Sequence, residues 1–139
     1  MNFTEHFTWA ELTRTDTSLP NIPSDFEVDR LRRLASALEE IRAILGHPLT
    51  INSAFRSELV NRAVGGAAGS AHLRGDAADF TCAGYGSPRE ICLAVIDSGI
   101  GFDQLILEPS WVHIGMSDRP RRQVLTMRGG RYTPGLAAE

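Results

Sequence analysis

His72, Asp79 and His113 are the residues of this chain whose types and spacing can do chemistry together. A histidine, a carboxylate seven residues on and a second histidine 34 residues after that carboxylate make a three-ligand metal set. Two imidazoles and one carboxylate suit zinc, and three protein ligands leave a fourth position open to water. A zinc ion so held lowers the pKa of its water towards neutrality, which points to hydrolysis. Asp79 carries the strongest signal. It sits in Ala77-Ala78-Asp79-Phe80, which reads as a buried strand, where an unpaired carboxylate is costly. It needs a metal, a cation or several hydrogen-bond donors. An ion pair with Arg56 or Arg74 is the alternative without metal. Taken singly, His72 and His113 are ordinary buried polar residues.

Strand alternation puts Ala77, Asp79 and Thr81 on one face, and likewise groups Trp111, His113 and Gly115. Small residues beside both ligands leave room for an ion and a substrate. Phe102 to Leu107 and Trp111 to Met116 read as a hairpin joined at Glu108-Pro109-Ser110. If Pro109-Ser110 is the loop, Glu108 pairs with Trp111, Ile106 with His113 and Gln104 with Gly115. Glu108 then shares the face of His113, and Asp103 points away. A one-residue slip reverses this, and Pro-Ser is not a favoured two-residue turn. Hydrolysis needs a group that moves a proton from water to the leaving amine. Glu108 is the first candidate for that base and Asp103 the second; a solvated carboxylate at a turn is the bland reading of Glu108.

The remaining elements form the frame. Thr8 and Glu11 have capping-box spacing, as do Ser24 and Glu27. The second pair opens an amphipathic helix over about residues 25–45, stopped by Gly46 and Pro48. Leu49 to Phe55 is β-prone, residues 57–64 suit a short helix, and residues 65–69 are a small-residue loop. Ser87-Pro88-Arg89-Glu90 opens a helix that runs to Gly99. Gln123 to Met127 suits another strand. Helices first, then strands interrupted by helices, predict a single α+β domain over residues 1–139. Its antiparallel sheet carries the zinc site and its helices pack against that sheet. The core is expected over about residues 3–127, with 128–139 as a surface tail.

Composition narrows the partners. The 139 residues are 42% hydrophobic and 22% charged, which suits one folded domain. No apolar run approaches the roughly 18 residues of a membrane helix, so no membrane insertion is expected. No basic segment followed by an apolar one opens the chain, so no signal peptide is expected and synthesis is expected to be cytoplasmic. The net charge is −3 and the largest basic cluster is Arg119-Pro120-Arg121-Arg122, which argues against nucleic acid. All fourteen basic residues are arginine, which excludes lysine Schiff-base chemistry and the phosphate-binding P-loop. Cys82 and Cys92 read as two reduced thiols. His6 and His47 look incidental. Asp76 reads as a solvated neighbour of the motif, or as a group orienting a ligating histidine.

Ser70-x-His72-x-x-Gly75-x-Ala77-x-Asp79 with Trp111-x-His113 resembles the zinc D-alanyl-D-alanine carboxypeptidase family of peptidoglycan peptidases. That family includes D-Ala-D-Ala dipeptidases, phage endolysins that cut L-alanyl-D-glutamate bonds, and the related hedgehog signalling domain. Ser53-Ala54-Phe55-Arg56-Ser57 is similar to its arginine-bearing segment, and Asn61 to Gly66 to its link into the histidine motif. Phe102 to Ile106 and Arg121 to Leu125 look like the small branch of phages and prophages. The resemblance covers about residues 3–127. It implies one Zn2+ per chain on His72, Asp79 and His113, with Arg56 facing the substrate or a developing oxyanion and Ser70 helping to hold substrate. The bland alternatives are a surface salt bridge for Arg56 and a turn hydrogen bond for Ser70. Many relatives place Glu or Asp three residues before the last histidine, where this chain has Ser110.

The function so implied is a zinc metallopeptidase, a hydrolase of peptidoglycan stem peptides. Its type is D-Ala-D-Ala carboxypeptidase or L-Ala-D-Glu endopeptidase, the latter being the endolysin type. It is expected to be a monomer that acts on the cell wall after release. Two alternatives remain: a non-catalytic zinc-containing module binding cell wall or protein, and a structural domain in which Asp79 pairs with Arg56.

Overall fold

Three capping boxes start three of the helices. Thr8 caps α1 (Trp9–Leu12), Ser24 caps α2 (Asp25–Leu45) and Ser87 caps α4 (Pro88–Ser98), each with a glutamate three residues on returning the bond. Ser57 caps α3 (Glu58–Ala63). Gly46 and Gly99 end α2 and α4 in the left-handed conformation. The buried stripe of α2, Leu31, Leu34, Leu38 and Ile41, repeats every three or four residues, so one face of the helix meets the core.

The computed structural model describes residues 1–138 and contains six strands. They are β1 (Thr50–Ser53), β2 (Ala77–Thr81), β3 (Gln104–Leu107), β4 (Val112–Gly115), β5 (Gln123–Arg128) and β6 (Arg131–Pro134). They form one sheet in the order β1-β2-β4-β3-β5-β6. All pairings are antiparallel except β3 with β5, so this α+β domain has a mixed sheet. The loop of residues 116–122 carries the chain back past β3, and β5 therefore enters alongside β3 in the same direction. Ala78, Phe80, Leu105, Leu107, Val112 and Ile114 point from one sheet face into the core that α2 and α4 cover. The other face carries Asp79 and His113.

The stretch from Arg128, read from the sequence as a surface tail, contains β6. Arg128 pairs with Arg131, and Gly129 and Gly130 between them have φ 57° and 77°. A two-residue turn with both φ positive matches the twist of a hairpin, and glycine adopts it without strain. Thr126 then ties down the chain beyond, donating to the Gly135 carbonyl at 2.7 Å and accepting from the Ala137 amide at 2.9 Å. Among the described residues, no helix is long and apolar enough to cross a membrane.

Two contacts dock the histidine motif onto the helix layer. Gly75 has φ 77°, and a Cβ there would lie 2.8 Å from the Glu27 carbonyl oxygen, so α2 leaves no room for a side chain. Asp76 is buried, not solvated. Arg33 meets its Oδ1 at 2.8 Å, while Arg30 and Arg74 face its Oδ2 at 3.6 and 3.3 Å. Arg30 and Arg33 stand three apart on α2 and so share a face, and both also reach Asp118. Removing one partner from a buried charge cluster leaves the others uncompensated. Asp76→Ala is therefore expected to cost about 3 kcal/mol, read as a lower midpoint in urea unfolding, with Asp118→Ala costing much less.

Candidate metal centre

Each ligand comes from a different piece of local structure. His72 lies in a single 3₁₀ turn, Ala71–Arg74, capped by Ser70 and closed by Gly75. Asp79 is central in β2, and His113 is directly opposite it on β4. Cross-strand partners share a face, so the pairing delivers both side chains to one place. Asp79 Oδ1 is 2.8 Å from His113 Nδ1 and 3.3 Å from His72 Nε2. The three residues each offer a ligand atom within 4.8 Å of the others. Tetrahedral bonds of about 2.1 Å separate ligand atoms by about 3.4 Å, so the cluster has the dimensions a zinc ion requires.

The outer contacts suit the same use. His72 Nδ1 lies 2.6 Å from the Ala54 carbonyl oxygen and donates to it, which turns Nε2 towards the cluster. Burial works to raise the carboxyl of Asp79, but hydrogen bonds and charge from His113 and His72 outweigh it and hold the group well below the usual carboxylate range. Asp79 is thus an anion, which is the form that binds metal.

Arg56 joins the cluster from the loop after β1. Its Nη2 reaches Asp79 Oδ2 at 3.4 Å, its Nε donates to Ser53 Oγ at 3.1 Å, and its Nη1 lies 3.5 Å from Asn61 Oδ1. The ion pair weighed as an alternative to metal therefore coexists with the ligand cluster, because the two carboxylate oxygens are divided between them. Arg74 belongs to Asp76 instead. Asn61, placed by the sequence in the link to the histidine motif without a role of its own, takes part here. It is buried, and a Cβ on Gly66 would overlap its Oδ1, so glycine there makes room for the amide that steadies Arg56. Ser70, expected to help hold substrate, accepts from the His72 amide at 3.3 Å, a turn hydrogen bond.

The two candidate bases lie in opposite surroundings. The register pairs Gln104 with Gly115 and Ile106 with His113, and the Glu108 amide donates to the Trp111 carbonyl at 3.1 Å. Glu108 thus shares the face of His113. It is 8% exposed, and its buried Oε2 has no hydrogen-bond partner among the described residues. Burial pushes its carboxyl above the ordinary value, the charge of His113 opposes this, and that of Asp79 adds to it. Asp103 is held by Arg121 through two bonds of 2.9 Å, and those bonds keep its carboxyl below the usual range. Its oxygens are engaged away from the cluster.

A family model described as Peptidase M15 matches residues 5–115, which include all three ligands, Arg56 and Glu108. The chain belongs to the peptidase M15 family. It is also 34% identical over 104 residues to the zinc D-Ala-D-Ala carboxypeptidase of Streptomyces albus G. That alignment covers 73% of this chain and 40% of the relative, so the chain spans well under half of that protein's length.

Saturating zinc is expected to raise the melting temperature of this M15 member. At a hundredfold excess over Kd the stabilisation is about 2.7 kcal/mol, provided the unfolded chain does not bind. Differential scanning fluorimetry with and without zinc checks it, and Asp79→Ala should abolish the shift.

Proposed function

We propose that the protein is a zinc-dependent peptidase of peptidoglycan stem peptides, hydrolysing a bond at a D-amino acid. The observation that carries catalysis, as opposed to binding alone, is the buried Glu108 carboxyl with an unpartnered oxygen beside the metal cluster. An unsatisfied buried carboxyl costs stability, and a carboxyl of raised pKa beside a metal cluster suits proton transfer. The substrate class rests on family membership and on the name of the Streptomyces relative.

His72, Asp79 and His113 would hold the zinc. When bound, that ion polarises the scissile carbonyl and lowers the pKa of the attacking water. Glu108 accepts the proton that the water loses as its oxygen bonds to the carbonyl carbon. It then gives that proton to the amide nitrogen as the carbon–nitrogen bond breaks, leaving a carboxylate and a free amine. Its raised pKa suits both halves of the exchange. Arg56 has three of its five N–H donors engaged by Ser53, Asn61 and Asp79. The other two serve a substrate carboxylate or the oxygen that gains charge at the reacting carbon. Ser70, by fixing the turn, keeps His72 in position.

Incubation with a stem pentapeptide ending in D-Ala-D-Ala, followed by mass spectrometry, tests the assignment. Release of D-alanine marks the carboxypeptidase type, and a cut between L-alanine and D-glutamate the endopeptidase type. Glu108→Gln should lower kcat by roughly 10²- to 10⁴-fold while zinc content stays at one per chain. Binding without cleavage by the wild type would instead identify a binding module.

Because Glu108 acts as a base only when ionised, activity should fall as pH drops through its pKa. Burial raises that pKa and the charge of a bound zinc would lower it, so the acid limb of kcat/KM reports the balance of the two. A pH–rate profile checks this, and the limb should vanish from the residual activity of Glu108→Gln.

A further inference from the structure

The family match ends at Gly115, yet the sheet does not. Residues beyond it add β5 alongside β3 and then β6 at the edge, widening the face that carries the metal cluster. The register shows what this extension brings. Ile106, opposite His113, is also opposite Leu125, and Leu125 is opposite Pro134. The next row on the same face starts at Trp111 and Glu108. Glu108 stands one residue past the last β3–β5 pair, Leu107↔Thr126, and lines one cavity with Met127, which pairs with Tyr132. Trp111, Glu108, Met127 and Tyr132 therefore follow one another across the end of the sheet, with Trp111 and Glu108 just outside β4 and β3.

Tyr132 is 58% exposed, so its ring adds little to the core. Sheet strands lie about 4.8 Å apart, which puts the Tyr132 backbone about 10 Å from that of Glu108, with the Met127 side chain between them. A long aromatic side chain spans much of that gap. Partial burial and the charges of Glu108 and Asp79 raise the phenol above its ordinary value, so the hydroxyl keeps its proton in the neutral range and is a hydrogen-bond donor. The cluster's other functional groups, Glu108 and Arg56, are charged. Tyr132 adds a neutral donor and an apolar plate at the outer wall.

We propose that Tyr132 is a substrate-contacting residue, its hydroxyl donating to a carbonyl or carboxylate oxygen of the bound peptide and its ring covering the peptide's apolar side. The β5–β6 hairpin is then a specificity wall outside the part of the chain that the family model describes. This rests on the peptidase reading above.

The test compares zinc-loaded wild type, Tyr132→Phe and Tyr132→Ala on the stem pentapeptide. It reads kcat and KM separately, with zinc content and melting temperature measured alongside. Peptide affinity is measured by calorimetry in the Glu108→Gln background, with and without Tyr132→Phe. Losing one hydrogen bond should lower kcat/KM and affinity about threefold to tenfold in Tyr132→Phe, mainly through KM. Losing the ring as well should take Tyr132→Ala below that, with zinc content unchanged. Cleavage by the wild type with unaltered kcat/KM in both variants would overturn the assignment of Tyr132 alone. A wild type that neither cleaves nor binds stem peptides would overturn the peptidase reading and this proposal with it. If Tyr132→Ala lowers the melting temperature, Tyr132→Phe, which keeps the ring, decides.

Discussion

The carboxylate of Asp79 must be satisfied inside the fold, and much of the structure follows from that requirement. A buried anion without partners costs several kcal/mol, and this one has a partner on every side. The two imidazoles face its Oδ1 and the Arg56 guanidinium faces its Oδ2. Those partners come from the 3₁₀ turn before β2, from β4 beside it and from the loop after β1. Pairing of β2 with β4 and docking of that loop are thus coupled to a single charge. The arrangement that neutralises Asp79 is also the one that gathers a metal-binding set.

Asp76, three residues earlier, applies the same logic to the rest of the motif. Two of its three arginine partners, Arg30 and Arg33, are on α2, so it fastens the start of β2 to the helix layer. Gly75 lets the backbone come close enough for this. The segment from His72 to Asp79 is therefore held at both ends by buried charge, one end to scaffold and the other to the site. A metal cluster built on such a segment is preorganised, because its ligands have little freedom to lose on binding.

Glu108 breaks the rule that the two aspartates obey. It is buried and one of its oxygens has no partner among the described residues, so it lowers stability where they contribute to it. Proteins keep such groups where a reactive, readily protonated carboxyl is worth the cost. Asp103, five residues away on the opposite side of β3, shows the contrast. Two guanidinium bonds quiet it and take it out of contention. Which face of one strand each residue occupies separates a candidate base from a surface ion pair.

The capping residues, the helix-stopping glycines and the alternation in β2 and β4 are local, and the sequence by itself determined the elements they predict. The Gly129-Gly130 turn is equally local, a hairpin signal within the stretch expected as surface tail. The β3–β4 register is not fixed in this way, because Pro-Ser is not a favoured two-residue turn and a one-residue slip exchanges the faces. The folded pairing of Ile106 with His113 selects the register that puts Glu108 on the face of His113 and Asp103 on the other. Tertiary structure alone decided the parallel insertion of β5, the burial of Asp76 under α2, the division of Asp79 between imidazoles and guanidinium, the support of Arg56 by Asn61, and the row that ends at Tyr132. Spacing along a chain constrains neighbours within a few residues, since bond geometry sets where they point. Groups far apart in sequence meet only where packing brings their elements together, and no local pattern records which oxygen of a carboxylate faces which partner.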